Sequence, residues 1–312
     1  METAIIAALI ACFINLVLCP LIIPVLRRVK FGQNVRDDGP ADHIRKTGTP
    51  TMGGIIIISG FLGGSLWFFQ NSYSLILIFI TLAFGFIGFL DDYIKVVKKR
   101  SLGLRVKQKL LLQLLVGGVF VAFLHLSAND YRIFFVPFME EYINTGFLFI
   151  PVALFIILGT VNSVNLTDGL DGLAGSVTLI VTVFFLIVAG REITPIIGAF
   201  AGSLLGFLVF NVHPAKVFMG DTGSLALGGF VAGIALILQM PLFLVIVGLV
   251  YVLETLSVIL QVVYFKKTGG KRLFKMAPLH HHFELKGLPE TKVTALFCIF
   301  TIIMCLIGFL SV

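Results

Sequence analysis

Residues 147–189 read FLFIPVALFIILGTVNSVNLTDGLDGLAGSVTLIVTVFFLIVA. Two apolar runs, at about 147–164 and about 173–189, flank the polar motif NLTDGLDG at 165–172. Each run approaches the roughly 20 apolar residues with which a helix crosses a bilayer. The stretch therefore predicts two membrane-spanning helices joined by a polar turn.

The same pattern recurs along the whole chain of 312 residues, which is 58% hydrophobic and 12% charged. A soluble domain carries about twice that charged fraction. We therefore predict an all-α integral membrane protein, with ten transmembrane helices that form a single domain over 1–312. The net charge of +7 would indicate a nucleic-acid partner only in a soluble protein, so no nucleic acid is expected. The predicted spans are about 3–26, 52–70, 74–94, 108–126, 147–164, 173–189, 193–210, 225–239, 242–265 and 292–311.

The distribution of positive charge predicts the orientation of these spans. Of the 23 Lys and Arg residues, only Arg132 and Arg191 lie after even-numbered spans. Because cytoplasmic loops concentrate Lys and Arg, the loops after odd-numbered spans are expected to face the cytoplasm. Both termini are then extracytoplasmic, and all the large polar motifs fall on the cytoplasmic side.

The motif at 165–172 combines Asn165 with two carboxylates, Asp168 and Asp171. On a helical turn, a spacing of three residues places both carboxylates on one face. Such a group at a membrane boundary is costly unless a metal ion or a polar substrate satisfies it. We interpret it as part of a phosphate and Mg²⁺ site. The alternative is a simple capped turn, since Asn and Asp cap helices and Gly ends them.

The motif HIRKTGTPTMGG at 43–54 places Lys46 before a turn that opens the second span. Free N–H groups at a helix start, together with a nearby cation, suit a phosphate. A positive membrane anchor beside a capped helix explains the same residues equally well.

The motif DDYIK at 91–95 lies at the end of the third span, before a basic run. In a continued helix Asp91 and Lys95 share a face, while Asp92 points about 100° away from Asp91. We therefore expect different roles for the two aspartates, one of which could accept a proton beside an anionic lipid head group. An ordinary basic membrane flank explains the lysines and arginines but not the paired acids.

The motif NVHPAKVFMGDTGS at 211–224 begins with Asn211 and carries Asp221, which is expected just before the eighth span. Its Gly-Asp-x-Gly pattern suits a Mg²⁺ ion held by few protein oxygens, with phosphates and waters completing the shell. Phe218 could stack on a base, although lipid contact is the simpler interpretation.

The motif PLHHHFE at 278–284 contains His280, His281 and His282. In an extended segment only the first and third would share a side. The usual zinc-site spacing is absent and the loop has no cysteine, so hydrogen bonds to a phosphate are favoured over zinc.

Glu254, within the ninth span, is a functional candidate because intramembrane acids are costly. It could equally pair with a neighbouring helix, and we leave it outside the predicted site.

Together these motifs gather aspartates, lysines, amides and histidines on one face of the membrane. Acidic groups alone would repel phosphates, whereas Mg²⁺ removes that conflict and lysines such as Lys95 neutralise the remaining charge. A site at the membrane boundary can take one substrate from the lipid and another from the cytosol. We infer phosphoryl transfer between a polar donor and a lipid phosphate.

At these residues the sequence resembles the phospho-N-acetylmuramoyl-pentapeptide transferases. The aspartate motifs are shared with the wider superfamily of polyprenyl-phosphate sugar-1-phosphate transferases. The resemblance implies that UDP-MurNAc-pentapeptide and undecaprenyl phosphate react to give lipid I and UMP, the first membrane step of peptidoglycan synthesis. It also implies Mg²⁺ and a homodimer in the bacterial plasma membrane. The motifs that carry it are KTGTPTMGG at 46–54, DDY at 91–93, NLTDGLDG at 165–172, GDTGS at 220–224 and PLHHHFE at 278–284.

By the same resemblance, Asp221 matches the Mg²⁺ ligand, Asp91 the proposed base or nucleophile, and Asp92 its acidic neighbour. The other matching positions are expected to bind substrate. They are Lys46, Asn165, Asp168, Asp171, Asn211, Phe218, His280, His281 and His282.

Two rival functions remain open at this point. A sister enzyme could transfer GlcNAc-1-phosphate to the same lipid, although the three histidines argue against it. An ion-coupled transporter would place acids near the middle of several spans, whereas here they lie at loop junctions apart from Glu254.

Overall fold

The computed structural model describes residues 1–28, 48–68, 71–98, 103–127, 131–139 and 141–312. These residues form a predominantly helical chain with one short β-hairpin. The helices are α1 Glu2–Arg28, α2 Gly54–Ser65, α3 Ser72–Val97, α4 Val106–Leu126, α5 Phe149–Thr167, α6 Leu173–Val188, α7 Thr194–Asn211, α8 Gly220–Ile237, α9 Leu244–Val247, α10 Leu249–Lys267, α11 Leu279–Glu284 and α12 Glu290–Phe309.

The lengths of the helices and their apolar composition identify a membrane protein. Within the described ranges, eight helices are long and apolar enough to cross a bilayer, and α2 and α6 are apolar but shorter. In hydrocarbon a helix satisfies its own backbone hydrogen bonds, which explains why such apolar runs fold in this way. The prediction of an all-α membrane protein is confirmed at this level, while the count of ten spans stays a prediction.

Helix α8 lies at the centre of the bundle. Every residue from 222 to 237 is buried, and the helix packs mainly against α3 and α5. A helix that is apolar on all sides is expected in such a core. The approach of α3 is very close, because a Cβ added at Gly88 would overlap the backbone carbonyl of Asp221. The packing of α3 on α8 therefore fixes where the first turn of α8 lies.

Helix α1 packs against α7 and α2. Its buried Asn15 donates hydrogen bonds to the carbonyl oxygen and the hydroxyl of Ser203 in α7, at 2.8 and 3.0 Å. Polar bonds between helices are a recognised source of association in lipid. The outward face of α1 exposes large apolar side chains such as Leu9 and Phe13, as expected for contact with lipid.

The predicted external loop at 127–146 contains a β-hairpin that the sequence analysis did not predict. Strand β1 Ile133–Val136 pairs antiparallel with β2 Glu141–Asn144. The hairpin is attached to the core, because the N–H of Phe135 donates to the carbonyl of Gln239 at 2.9 Å and its ring stacks on Phe243. Two strands alone are marginal, so this attachment is what stabilises them.

The ninth predicted span is not the continuous helix expected over 242–265. The chain forms a 3₁₀ turn at Pro241–Phe243, the short α9, and then α10. Gly248 separates α9 from α10 with φ −98° and ψ 19°, outside the helical region. The backbone at Gly248 therefore divides this span into two helices.

Candidate active site at the start of helix α8

Three carboxylates meet where α3 ends and α8 begins. Asp91, Asp92 and Asp221 each offer an oxygen within 4.8 Å of the others, an arrangement that could hold a metal ion. Asp221 lies in the first turn of α8. The expectation that the helix starts near residue 225 was therefore wrong, because the helix begins at Gly220 on the turn that α3 packs against.

Asp92 caps the N-terminus of α8. Its Oδ2 accepts hydrogen bonds from the N–H and the hydroxyl of Thr222, at 2.9 and 2.7 Å. Its Oδ1 accepts the N–H of Asp221 at 3.2 Å. The first N–H groups of a helix lack partners within it, and the positive end of its dipole attracts an anion. Asp92 is only 3% exposed, so its oxygens are committed to holding this turn.

Asp91 has different partners from its neighbour. Its Oδ2 lies 2.6 Å from the ammonium nitrogen of Lys95, one helical turn further along α3. Its Oδ1 accepts the N–H of Leu104 at 2.8 Å. The segment that opens α4 therefore packs directly on this carboxylate, which also lies beside Asp221 of α8.

Two lysines face Asp221 from different helices. The Nζ atoms of Lys95 in α3 and Lys109 in α4 lie 3.1 and 2.8 Å from its Oδ2. With all groups ionised, three carboxylates face two ammonium groups, so the cluster carries a formal charge of about −1. Lys109 was not among the predicted site residues, because within a basic stretch of the sequence nothing distinguishes it from its neighbours.

Asn165 joins the motif at 165–172 to this cluster. Its side-chain amide donates to Asp221 Oδ1 at 3.1 Å and to the hydroxyl of Ser224 at 2.8 Å. Helix α5 ends at Thr167 and Asp168 follows it with φ −80° and ψ 56°. The expectation that Asp168 and Asp171 share a helical face was wrong, because the backbone leaves the helix between them.

Asp171 belongs to a second polar cluster. Its Oδ2 lies 3.2 Å from His213 Nδ1 and accepts the N–H of Ala215 at 3.0 Å. Its own N–H donates to Glu290 Oε1 at 2.6 Å. These contacts tie the turn at 168–172 to the loop after α7 and to the start of α12. His213 and Glu290 were not predicted, since their partner is 42 and 119 residues away in the chain.

The three histidines lie in the short helix α11, not in an extended segment. The expectation that only His280 and His282 share a side was therefore wrong, because successive residues of a helix are rotated by about 100°. His280 is fully buried, whereas His281 and His282 are partly exposed. His280 Nδ1 lies 3.1 Å from Glu254 Oε2. Glu254, which lies outside the predicted site, thus contacts one of its members. Its position inside a predicted span is the sequence signal for that contact.

His281 contacts a residue within α11, and His282 contacts the loop that precedes this helix. His281 Nδ1 lies 2.8 Å from Glu284 Oε2, and His282 Nδ1 accepts the N–H of Lys275 at 3.1 Å. Burial, with smaller contributions from Lys286 and Lys275, lowers the pKa of His282 from its usual value. The neutral imidazole that this favours is the form that can accept the bond from Lys275.

Known protein families match this chain over most of its length. The model of glycosyl transferase family 4 matches residues 74–239. A phospho-N-acetylmuramoyl-pentapeptide-transferase of Acetivibrio thermocellus is 51% identical, over 95% of this chain and 92% of the relative. Proteins with the same name from Clostridium botulinum and Clostridioides difficile are each 49% identical, over 99% and 98% of this chain and 96% of each relative. The chain belongs to this transferase family. The resemblance inferred from the motifs is confirmed.

Two of the remaining predicted site residues, Asn211 at the end of α7 and Phe218 in the loop after it, lie in the segment that leads to Asp221. The Asn211 side chain donates to the carbonyl of Val217 at 2.9 Å and closes the loop before α8. The backbone of Phe218 pairs with the carbonyl of Pro50 and the N–H of Gly53, both at 2.8 Å. The end of the motif at 43–54 therefore lies against the loop that leads to Asp221. Lys46 lies outside the described residues.

Proposed function

We propose that this transferase moves phospho-MurNAc-pentapeptide from UDP-MurNAc-pentapeptide to undecaprenyl phosphate. The products are lipid I and UMP, and the step is the first membrane reaction of peptidoglycan synthesis. One observation carries the proposal: the Asp91, Asp92 and Asp221 cluster, faced by two lysines, lies in a chain about half identical to proteins named for this transfer. That combination favours this reaction over transfer of GlcNAc-1-phosphate and over ion-coupled transport.

The chemistry of the cluster fits a Mg²⁺ cofactor. Carboxylate oxygens are the hard ligands that Mg²⁺ prefers, and the ion keeps several positions for water and phosphate. Asp221 is the ligand we propose, as the family resemblance implies, and its carboxylate lies within reach of Asp91, Asp92 and both lysines. When bound, Mg²⁺ supplies neutralisation of the phosphate charge during transfer.

We propose direct transfer in one step, without a covalent intermediate. An oxygen of the lipid phosphate forms a bond to the sugar-linked phosphorus, while the bond from that phosphorus to the oxygen of the departing UMP breaks. Asp91 orients or deprotonates the lipid phosphate. Lys95 and Lys109, which both contact Asp221, neutralise the negative charge of the phosphates. Phosphoryl transfer depends mainly on positioning and charge neutralisation, which this set of residues can provide.

The proposed substrate contacts follow the sequence motifs. Asn165 connects the cluster to the turn that carries Asp168 and Asp171, and we propose that this turn holds the nucleotide sugar. The other residues that we propose for the substrate site are Lys46, Lys95, Asn211, Phe218, His280, His281 and His282.

We further propose ten spans, extracytoplasmic termini and a site that faces the cytoplasm of a bacterial plasma membrane. The distribution of Lys and Arg supports that orientation, since only Arg132 and Arg191 follow even-numbered spans. By the same family resemblance we propose a homodimer.

A UMP-release assay with purified protein and a polyprenyl phosphate tests the function. We expect UMP with UDP-MurNAc-pentapeptide and Mg²⁺, and none with UDP-GlcNAc or after chelation. The control is Asp221→Asn, which keeps the shape of the side chain and removes its charge. Equal release with UDP-GlcNAc would favour the sister enzyme, and substrate flux into sealed vesicles without UMP would favour a transporter.

A further inference from the structure

A buried acid and a buried histidine form a pair beside the site. Glu254 in α10 and His280 in α11 are both 0% exposed. Glu254 Oε1 accepts the backbone N–H of His280 at 3.2 Å, and its Oε2 lies 3.1 Å from Nδ1 of the imidazole. An acid within a membrane-spanning helix is costly, so a partner that engages both of its oxygens indicates a specific role.

The other edge of the imidazole faces the turn at 168–172. Among the described residues His280 Nε2 is buried and has no hydrogen-bond partner. A Cβ added at Gly169 would overlap Nε2 and lie 2.8 Å from Cε1. The ring therefore lies directly against the backbone of Gly169, where no side chain fits.

We propose that Glu254 is a positioning residue for the transfer reaction. As the acceptor of both contacts, Glu254 keeps the hydrogen of His280 on Nδ1 and fixes the plane of the ring. The ring then supports the turn that presents Asp168 and Asp171. His280 acts through this turn rather than on the phosphate, much as outer-shell partners orient the ligands of a metal site. This inference rests on the proposed function.

The test compares two substitutions of Glu254 in purified enzyme. Glu254→Leu has similar size and leaves the two donors of His280 without an acceptor. We expect its KM for UDP-MurNAc-pentapeptide to rise roughly 10- to 100-fold, the range for losing a hydrogen bond to a charged group. Glu254→Gln should give a smaller rise, because its amide keeps one oxygen as an acceptor and replaces the other, which faces the second donor, with an NH2 group. The KM for the polyprenyl phosphate should stay within about twofold in both variants.

The matched control is Thr255→Val on the same helix. Thr255 donates to the hydroxyl of Ser163 at 2.7 Å and does not contact His280 in the described structure. A purely structural loss lowers the amount of folded enzyme and therefore the apparent kcat, but it leaves KM unchanged. In Thr255→Val we therefore expect an unchanged KM for UDP-MurNAc-pentapeptide, with at most a lower apparent kcat.

A second variant approaches the same contact from the other side. Gly169→Ala forces a methyl group against His280, so it should also raise the KM for the nucleotide sugar. In the double variant with Glu254→Leu the two effects should not multiply, because both act through one contact.

An unchanged KM in Glu254→Leu, or an equal rise in Thr255→Val, overturns the positioning role. Absence of UMP release by the unsubstituted enzyme would instead overturn the proposed function.

Discussion

Replacement of Asp92 by alanine tests whether this carboxylate works by capping α8. The substitution removes the acceptor of three hydrogen bonds, from the N–H and hydroxyl of Thr222 and from the N–H of Asp221. The two bonds from Thr222 are short, and a bond to a charged acceptor contributes about 1.5 kcal/mol or more. The longer bond from Asp221 adds less. The cap therefore holds the first turn of α8 in place by roughly 3 kcal/mol.

If that free energy keeps Asp221 in position, kcat should fall about 100-fold in Asp92→Ala. Thr222→Val is the graded control, because it removes the hydroxyl bond alone and should cost about 1.5 kcal/mol, roughly tenfold. Both variants are assayed by UMP release over a series of Mg²⁺ concentrations, with the amount of folded protein measured by size-exclusion chromatography in detergent.

The Mg²⁺ series separates a cap from a metal ligand. A lost ligand weakens binding of the ion, so excess Mg²⁺ should restore turnover. A lost cap misplaces Asp221, and no concentration of the ion corrects that. Recovery of Asp92→Ala at high Mg²⁺, or turnover within about twofold of the unsubstituted enzyme, would refute the capping argument.

Three further outcomes are expected at the same site. Asp221→Ala should abolish UMP release while the protein still inserts into membranes, as judged by fractionation; normal turnover at ordinary Mg²⁺ would remove it from the metal site. Lys109→Met should lower kcat/KM roughly 10- to 100-fold, because it removes a charged hydrogen bond to Asp221. Lys107→Met, an exposed neighbour on the same helix, should stay within about twofold, and equal losses would contradict the assignment. Rapid quenching during turnover should reveal no phospho-sugar adduct on Asp91, and a trapped adduct would overturn direct transfer.

The class of fold could be predicted because lipid imposes a simple rule on sequence. A spanning segment must be apolar over about 20 residues and must satisfy its own backbone. The apolar runs of this chain are long and uninterrupted, and the candidate spanning helices coincide with them. The hairpin at 133–144 escaped prediction because it depends on a contact with another part of the chain. The break at Gly248 escaped it because an apolar run does not specify the backbone angles within it.

The backbone conformation of the motifs could not be predicted from the residue types in them. The turn at 168–172 leaves the helix because its groups have distant partners, such as Glu290 for the N–H of Asp171. The histidine motif forms a helix whose first ring is held by Glu254. In both places a contact with a distant residue stabilises the backbone conformation. The spacing of residues within a motif carries no information about such a contact.

The convergence of the carboxylates depends on how closely two helices approach. Asp92 and Asp221 are 129 residues apart, and the sequence gives only their types. Gly88 lies one turn before the paired aspartates, and its missing side chain leaves room for the carbonyl of Asp221. Any larger residue there would push α8 away from α3, and the cap, the lysine contacts and the proposed metal ligands would separate together. A glycine without any chemistry of its own thus determines whether the acids can act as one site.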